Sequence, residues 1–115
     1  YSNLGNILYD LSKSEEAEIL LRKAIELNPD FAEAHSNLGN ILRSIGKLRE
    51  AEDSARKAIE LNPDFAEAYL NLGNILRDLG RHKEADIANR KAFEIKPEYE
   101  EDNLNLENIQ FLWPT

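Results

Sequence analysis

Leu4, Leu38, Leu72 and Leu106 recur at one constant step of 34 residues, and each lies inside a nearly identical six-residue string. Asn3-Leu4-Gly5-Asn6-Ile7-Leu8 returns letter for letter at Asn37-Leu38-Gly39-Asn40-Ile41-Leu42 and at Asn71-Leu72-Gly73-Asn74-Ile75-Leu76. An altered fourth copy reads Asn105-Leu106-Glu107-Asn108-Ile109-Gln110. Self-similarity at this period restricts the architecture before any single residue is considered. Each unit is too short to bury its own apolar face and must close its core on a neighbour.

Within a period the apolar residues follow a helical recurrence. Tyr1, Leu4, Ile7, Leu8 and Leu11 mark a first helix. Ser12-Lys13-Ser14 is expected to interrupt it, with Ser14 as N-cap and Glu15 and Glu16 in the following first turn, where the helix dipole favours carboxylates. A second helix then reaches about Leu27, with Ala17, Leu20, Leu21, Ala24 and Ile25 facing inward. Asn28-Pro29-Asp30 stops it, because proline disfavours a helical residue before it and has no amide proton. The arrangement restarts as Phe31–Ile45 with Gly46 at its end, Leu48–Leu61, then Asn62-Pro63-Asp64. It restarts again as Phe65–Leu79 with Gly80, His82–Ile95, then Lys96-Pro97-Glu98. Gly46 and Gly80 are suited to a left-handed C-cap. Between residues 32–65 and 66–99 about half the positions are identical in register, more than shared helical periodicity produces. Residues 98–113 read as a lone helix. There Asn103, Glu107 and Gln110 replace residues that are apolar, aromatic or glycine in other copies, as the polar outer face of a terminal cap requires.

These features resemble tetratricopeptide (TPR) repeats. The resemblance rests on the period, the Asn-Leu-Gly strings, the small residues Ala17, Ala51, Ala85, Ala24, Ala58 and Ala92, and Pro29, Pro63 and Pro97. It covers nearly the whole chain. Two departures stand out: Ser12 replaces the turn glycine of the first unit, and the usually large residue before the second alanine is Leu21, Ala55 or Asn89. The resemblance implies an all-α fold, an α-α superhelix (TPR solenoid) of antiparallel helix pairs forming one domain over residues 1–115. Its repeats are 1–31, 32–65 and 66–99, followed by a capping helix at 100–113. Gly5, Gly39 and Gly73 are then expected to let paired helices approach closely at Ala17, Ala51 and Ala85, where a larger side chain would overpack the seam.

Composition narrows the function. The formal net charge of −8 argues against nucleic acid, which needs clustered cations without compensating carboxylates. There is no cysteine, hence no disulfide framework and no thiolate metal site, and the compartment is left open. No apolar run approaches membrane-spanning length and no charged-then-apolar leader opens the chain. The absence of any methionine reads as a processed or excised fragment. No nucleophile-base set, phosphate-cradling glycine loop or metal-spaced histidine cluster is present, so the chain reads as non-enzymatic and without cofactor or metal. His35 occupies the slot of Tyr1 and Tyr69 and reads as a packing residue; His82 reads as a solvated surface residue. Glu18–Arg22, Glu52–Arg56 and Asp86–Arg90 are acid-before-base pairs four apart, each contributing a few tenths of a kcal/mol on an exposed helix.

In the family the first helices line a concave side. The resemblance puts Asn6, Tyr9, Asn40, Arg43, Leu70, Asn74, Arg77, Asn108 and Phe111 there as candidate peptide contacts. Asn6, Asn40, Asn74 and Asn108 would form a ladder whose amides match the alternating donors and acceptors of an extended peptide. It is similar to the asparagine ladder with which some members of the family hold peptide backbone. The neighbouring set Asn3, Asn37, Asn71 and Asn105 reads instead as structural, hydrogen-bonding between adjacent helices. Chaperone-binding members clamp a C-terminal carboxylate with two asparagines and three basic residues. Here Asn6 and Asn37 stand in place, but Ser2, Glu67 and Asn71 replace the basic residues, so that clamp is broken. Arg43 and Arg77 remain as anion readers, blunted by Asp10, Asp78, Glu33 and Glu67.

The first reading is therefore a scaffold whose groove binds an extended segment of a protein or peptide partner, with no role for nucleic acid or membrane. Two alternatives stand beside it. One is a homo-oligomer assembled through the apolar C-terminal residues Leu104, Phe111 and Leu112; the other is the substrate-binding arm of a larger enzyme.

Overall fold

The computed structural model describes residues 2–98 and, of their side chains, those from residue 12 onward. The described elements are all helices: α1 (Ser2–Leu27), α2 (Ala32–Ser44), α3 (Leu48–Leu61), α4 (Ala66–Asp78) and α5 (His82–Ile95). Four of them begin and end within a residue or so of the sequence expectation. The expected helix over 98–113 lies, beyond residue 98, outside the described residues.

The boundaries have local causes. Each long connection opens with a turn in which Phe31 N donates to Asn28 O at 3.2 Å, or Phe65 N to Asn62 O at 3.1 Å. Pro29 and Pro63 occupy the second turn position, where their fixed φ suits the turn. The Asn62 side chain adds a bond from Asp64 N at 3.3 Å. The short connections close differently. Gly46 and Gly80 take φ of +86° and +84°, and the next residue's amide reaches back five residues, Lys47 N to Leu42 O at 2.8 Å and Arg81 N to Leu76 O at 2.9 Å. This is the Schellman ending, which satisfies the last helical carbonyls and reverses the chain.

With three-residue connections, α2 pairs antiparallel with α3 and α4 with α5, while α3 packs on α4, α1 on α2, and α2 on α4. The core runs along the stack rather than to a centre. Leu38, Leu42, Ala51, Ala55, Leu72, Ile75, Leu76, Ala85 and Ala88 form it, with Leu21, Ile25, Ile45, Ile59 and Leu79 at its margin. Leu42 and Leu76, each 1% exposed, contribute on the order of 1.5–3 kcal/mol apiece by leaving water. Gly39 sets the spacing of its pair: a Cβ there would meet Ala51 O at 3.1 Å and Ala55 N at 3.3 Å. At Gly73 a Cβ would collide with Oδ1 of Asn89 and lie 3.3 Å from Ala85 O.

The first unit corrects the sequence expectation. No interruption occurs at Ser12-Lys13-Ser14; α1 continues through it as one helix of 26 residues. The turn slot explains this. Where Gly46 and Gly80 adopt positive φ freely, Ser12 would lose about 1–2 kcal/mol in the left-handed conformation, so the helical bonds carry on. Residues 2–11 therefore do not fold back on residues 14–27, and the burial pattern reflects it. Ala51, Ala58, Ala85 and Ala92 are 0% exposed, whereas Ala17 and Ala24, one repeat earlier, are only half-buried. Leu20, expected to face inward, is 68% exposed, next to Ile19 at 67%.

Candidate peptide-binding groove

The two first helices α2 and α4 lie against each other, and two contacts lock their register. Asn71 on α4 donates through Nδ2 to Oγ of Ser36 on α2 at 2.9 Å, with Ser36 O at 3.4 Å. Ser36 is fully buried, so this amide serves an interior acceptor and is not free for a ligand. Farther along, Arg43 Nε donates to Asp78 Oδ2 at 2.6 Å. The structural role expected of the Asn71 set is thus realised at Asn71.

Asn40 is exposed on α2, and Asn74 and Leu70 are half-buried on α4. Arg43 is a third exposed and engaged with Asp78, while Arg77 is 4.0 Å from Asp86 of α5. The acid expected to blunt Arg43 does so directly. Asn6 and Tyr9 ride on the first part of α1, where only the backbone is described. Because α1 is continuous, Asn6 lies roughly 22 Å along the helix from Leu21. The hairpin that would bring Asn6 beside Asn40 is not formed, which is a correction. Asn108 and Phe111, with Leu104 and Leu112, lie outside the described residues.

His35 is 9% exposed, its Nε2 lying 2.9 Å from the carbonyl of Pro29. A carbonyl only accepts, so Nε2 carries the proton, and the ring pins the 28–31 turn to α2 as a packing residue. His82 is exposed at the start of α5, as expected.

Two of the three expected charged pairs on the second helices, Glu18–Arg22 and Glu52–Arg56, do more than the sequence suggested. Glu18 accepts from Arg22 at 2.9 Å and from Lys47 of the next unit at 3.5 Å, while Arg22 also reaches Glu50 at 3.1 Å. One repeat later Glu52 accepts from Arg56 at 2.9 Å and from Arg81 at 2.8 Å, and Arg81 binds Glu84 at 2.6 Å. Among the described residues the junctions α1–α3 and α3–α5 therefore carry the same four-charge cluster. The two central side chains, Glu18 and Glu52, are 12% and 14% exposed. The hydrogen bond from Arg22 holds the Glu18 carboxyl below the usual carboxylate range. Burial pushes Glu52 up, but hydrogen bonds from Arg56 and Arg81 outweigh it and its carboxyl is also lowered; the bond from Arg81 lowers Glu84. Arg81 in turn is raised by Glu84 and Glu52. The signal was present as recurrence of acid and base at 34-residue steps, but the 29-residue separation across a junction is invisible until the units are stacked.

Two open clefts repeat in the same way. One is lined by Arg22, Ile25, His35, Leu38 and Ser54; the other, of about 370 Å³, by Arg56, Tyr69, Leu72, Ile87 and Ala88. Among the described residues no group of three His, Cys, Asp or Glu side chains is placed to hold a metal ion. No described helix is long and apolar enough to cross a membrane.

Known proteins agree with this architecture. The tetratricopeptide repeat family matches residues 32–65 and 55–86, and the TPR repeat family matches residues 5–46. No curated protein matches the chain. Among solved structures, that of YrrB, "a TPR protein with an unusual peptide-binding site", is 31% identical with a TM-score of 0.71, covering 82% of this chain and 48% of YrrB. A MamA crystal structure is 28% identical with a TM-score of 0.70, covering 81% of this chain and 54% of MamA. The AMB-1 form of MamA is 31% identical with a TM-score of 0.70, covering 76% and 52%. The chain spans about half the length of the structures it matches. With the period, the glycine-alanine seams and the stacked helix pairs on one side and these matches on the other, the chain belongs to the tetratricopeptide repeat family and folds as an all-α TPR solenoid.

Proposed function

We propose that this protein is an interaction scaffold that holds an extended segment of a partner protein against its first helices, without catalysis. The observation that carries the reading is a contrast between Asn71 and the asparagines Asn40 and Asn74. Asn71 is committed to the buried Ser36, whereas Asn40 and Asn74, three residues farther on in each helix, retain exposed surface. An amide offering both a donor and an acceptor on each of two adjacent helices suits a peptide backbone, whose groups alternate in the same way. The resemblance to YrrB, described as having a peptide-binding site, supports the same class of ligand. Proteins of this family are generally non-catalytic interaction modules.

Arg43 and Arg77 border the proposed track. Since Arg43 is neutralised by Asp78, backbone recognition rather than charge dominates. The test is a partner capture with the full chain beside the double variant Asn40→Ala, Asn74→Ala. Loss of the captured peptide at unchanged thermal stability supports the reading. Undiminished capture removes Asn40 and Asn74 from the site.

A further inference from the structure

We propose that the segment held against α2 and α4 is cationic, with lysine or arginine side chains that meet the carboxylates of Glu33 and Glu67. This rests on the groove reading above: the amides hold the backbone, and the carboxylates select its side chains.

The register of the two helices brings these carboxylates side by side. Asn71 bonds Ser36 and Arg43 bonds Asp78, both pairs being 35 residues apart. The helices α2 and α4 therefore run parallel with like slots adjacent. Glu33 neighbours Glu67, as Asn40 neighbours Asn74. On α2, Glu33, Asn37, Asn40 and Ser44 are all exposed, at the spacing that lines one face of a helix. The carboxylates thus share a face with the proposed amide rungs and precede them by roughly 10 Å along each helix. A glutamate and a lysine or arginine stem reaching toward each other span that gap.

Charge complementarity selects the occupant. Each of α2 to α5 carries one glutamate in its first turn, Glu33, Glu50, Glu67 and Glu84, where the helix dipole favours a negative charge. On the second helices these glutamates are also paired, Glu50 with Arg22 and Glu84 with Arg81. On the first helices neither Glu33 nor Glu67 has an ion pair among the described residues. Lys96 lines a cleft with Glu67, but Asp64 lines it too, so acids outnumber the cation there. The arginines of the groove do not substitute, since Arg43 is engaged by Asp78 and Arg77 faces Asp86. Packed helices such as α2 and α4 lie about 8–10 Å apart, the length of about three residues of extended chain. Such a chain turns alternate side chains to the same side. A segment with lysine or arginine at alternate positions therefore offers cations to both carboxylates while its backbone crosses Asn40 and Asn74.

Fluorescence anisotropy of the full chain with three labelled peptides of equal length tests this. One carries lysine at alternate positions; in the others glutamine or glutamate replaces each lysine. The lysine peptide should bind about 3–10-fold tighter than the glutamine peptide at low salt, and the glutamate peptide should bind most weakly. Glu33→Gln with Glu67→Gln should erase the lysine preference and leave the glutamine peptide unchanged. Glu15→Gln with Glu16→Gln makes the same change of charge on α1 and should retain the preference. Asn40→Ala with Asn74→Ala should weaken the lysine and glutamine peptides alike. No lysine preference in the wild type, or one that survives Glu33→Gln with Glu67→Gln, overturns the cationic assignment and leaves the groove standing. Loss of the preference in the α1 variant also overturns it, because overall charge would then be its cause. Binding of the glutamine peptide that Asn40→Ala with Asn74→Ala leaves intact overturns the groove reading instead. If no peptide binds at about 1 mM, both fall.

Discussion

Nδ2 of Asn71 donates to Oγ of Ser36 across 2.9 Å, joining two first helices through a hydroxyl that is closed to water. Asn71→Ala leaves that hydroxyl with one partner fewer in a site it cannot rehydrate. The expected loss is about 1–2 kcal/mol, readable as a lower midpoint in urea unfolding. Asn74→Ala, on the same helix but half-exposed, should shift the midpoint by a few tenths of a kcal/mol at most. Equal losses for the two would mean that both asparagines are structural.

The glycines separate two kinds of constraint. Gly73→Leu places a side chain where Asn89 already stands and where Ala85 O leaves no room, so the α4–α5 pair must part. About 3 kcal/mol is expected, the upper part of the usual overpacking range. Gly46→Ala meets nothing within 4 Å and is strained only by its φ of +86°, which costs about 1–2 kcal/mol. Denaturant unfolding of the two variants distinguishes steric from conformational cost; a larger loss at Gly46 would contradict the assignment.

Ser12 shows why most of the fold was legible and part of it was not. Helix positions, the seam glycines and the Asn71 contact follow from periodicity, because each depends on residues repeated with the same neighbours. The continuity of α1 depends on a single replaced glycine, and the dominant repeat pattern concealed its effect. Burial of Leu20 was expected from a hairpin that does not form. The equivalent places of Asn40 and Asn74 on α2 and α4 were legible because the motif repeats; the same motif set Asn6 beside them through a turn that α1 does not make.

Acid should loosen the unit junctions. Glu18, Glu52 and Glu84 are all lowered by their arginine partners. A carboxyl held lower in the folded state than in the unfolded chain binds fewer protons when folded. Its stabilisation is therefore present above the unfolded carboxylate value, near pH 4.3, and is lost as pH falls through the folded values. Urea midpoints measured from pH 7 down to pH 3 should drop mainly below about pH 5. Glu52→Gln should flatten part of that drop while lowering stability at pH 7. An unchanged profile in this variant would show that Glu52 does not contribute to the acid response.

The ion pair between Arg43 and Asp78, at 2.6 Å, sets what kind of peptide the proposed groove can prefer. With Asp78 in place the guanidinium is already paired, and a carboxylate on a ligand would have to compete for it. Asp78→Asn removes the competing charge but keeps the side-chain volume, leaving Arg43 able to meet an anion. An acidic peptide should then bind about 3–10-fold tighter, in line with a surface charge interaction of about 0.5–1.5 kcal/mol, and the gain should fade as salt rises toward 1 M. A neutral peptide of the same length should be indifferent to the change. Fluorescence anisotropy with the two labelled peptides at low and high salt reads all four values. Equal responses of both peptides would place Arg43 outside the groove.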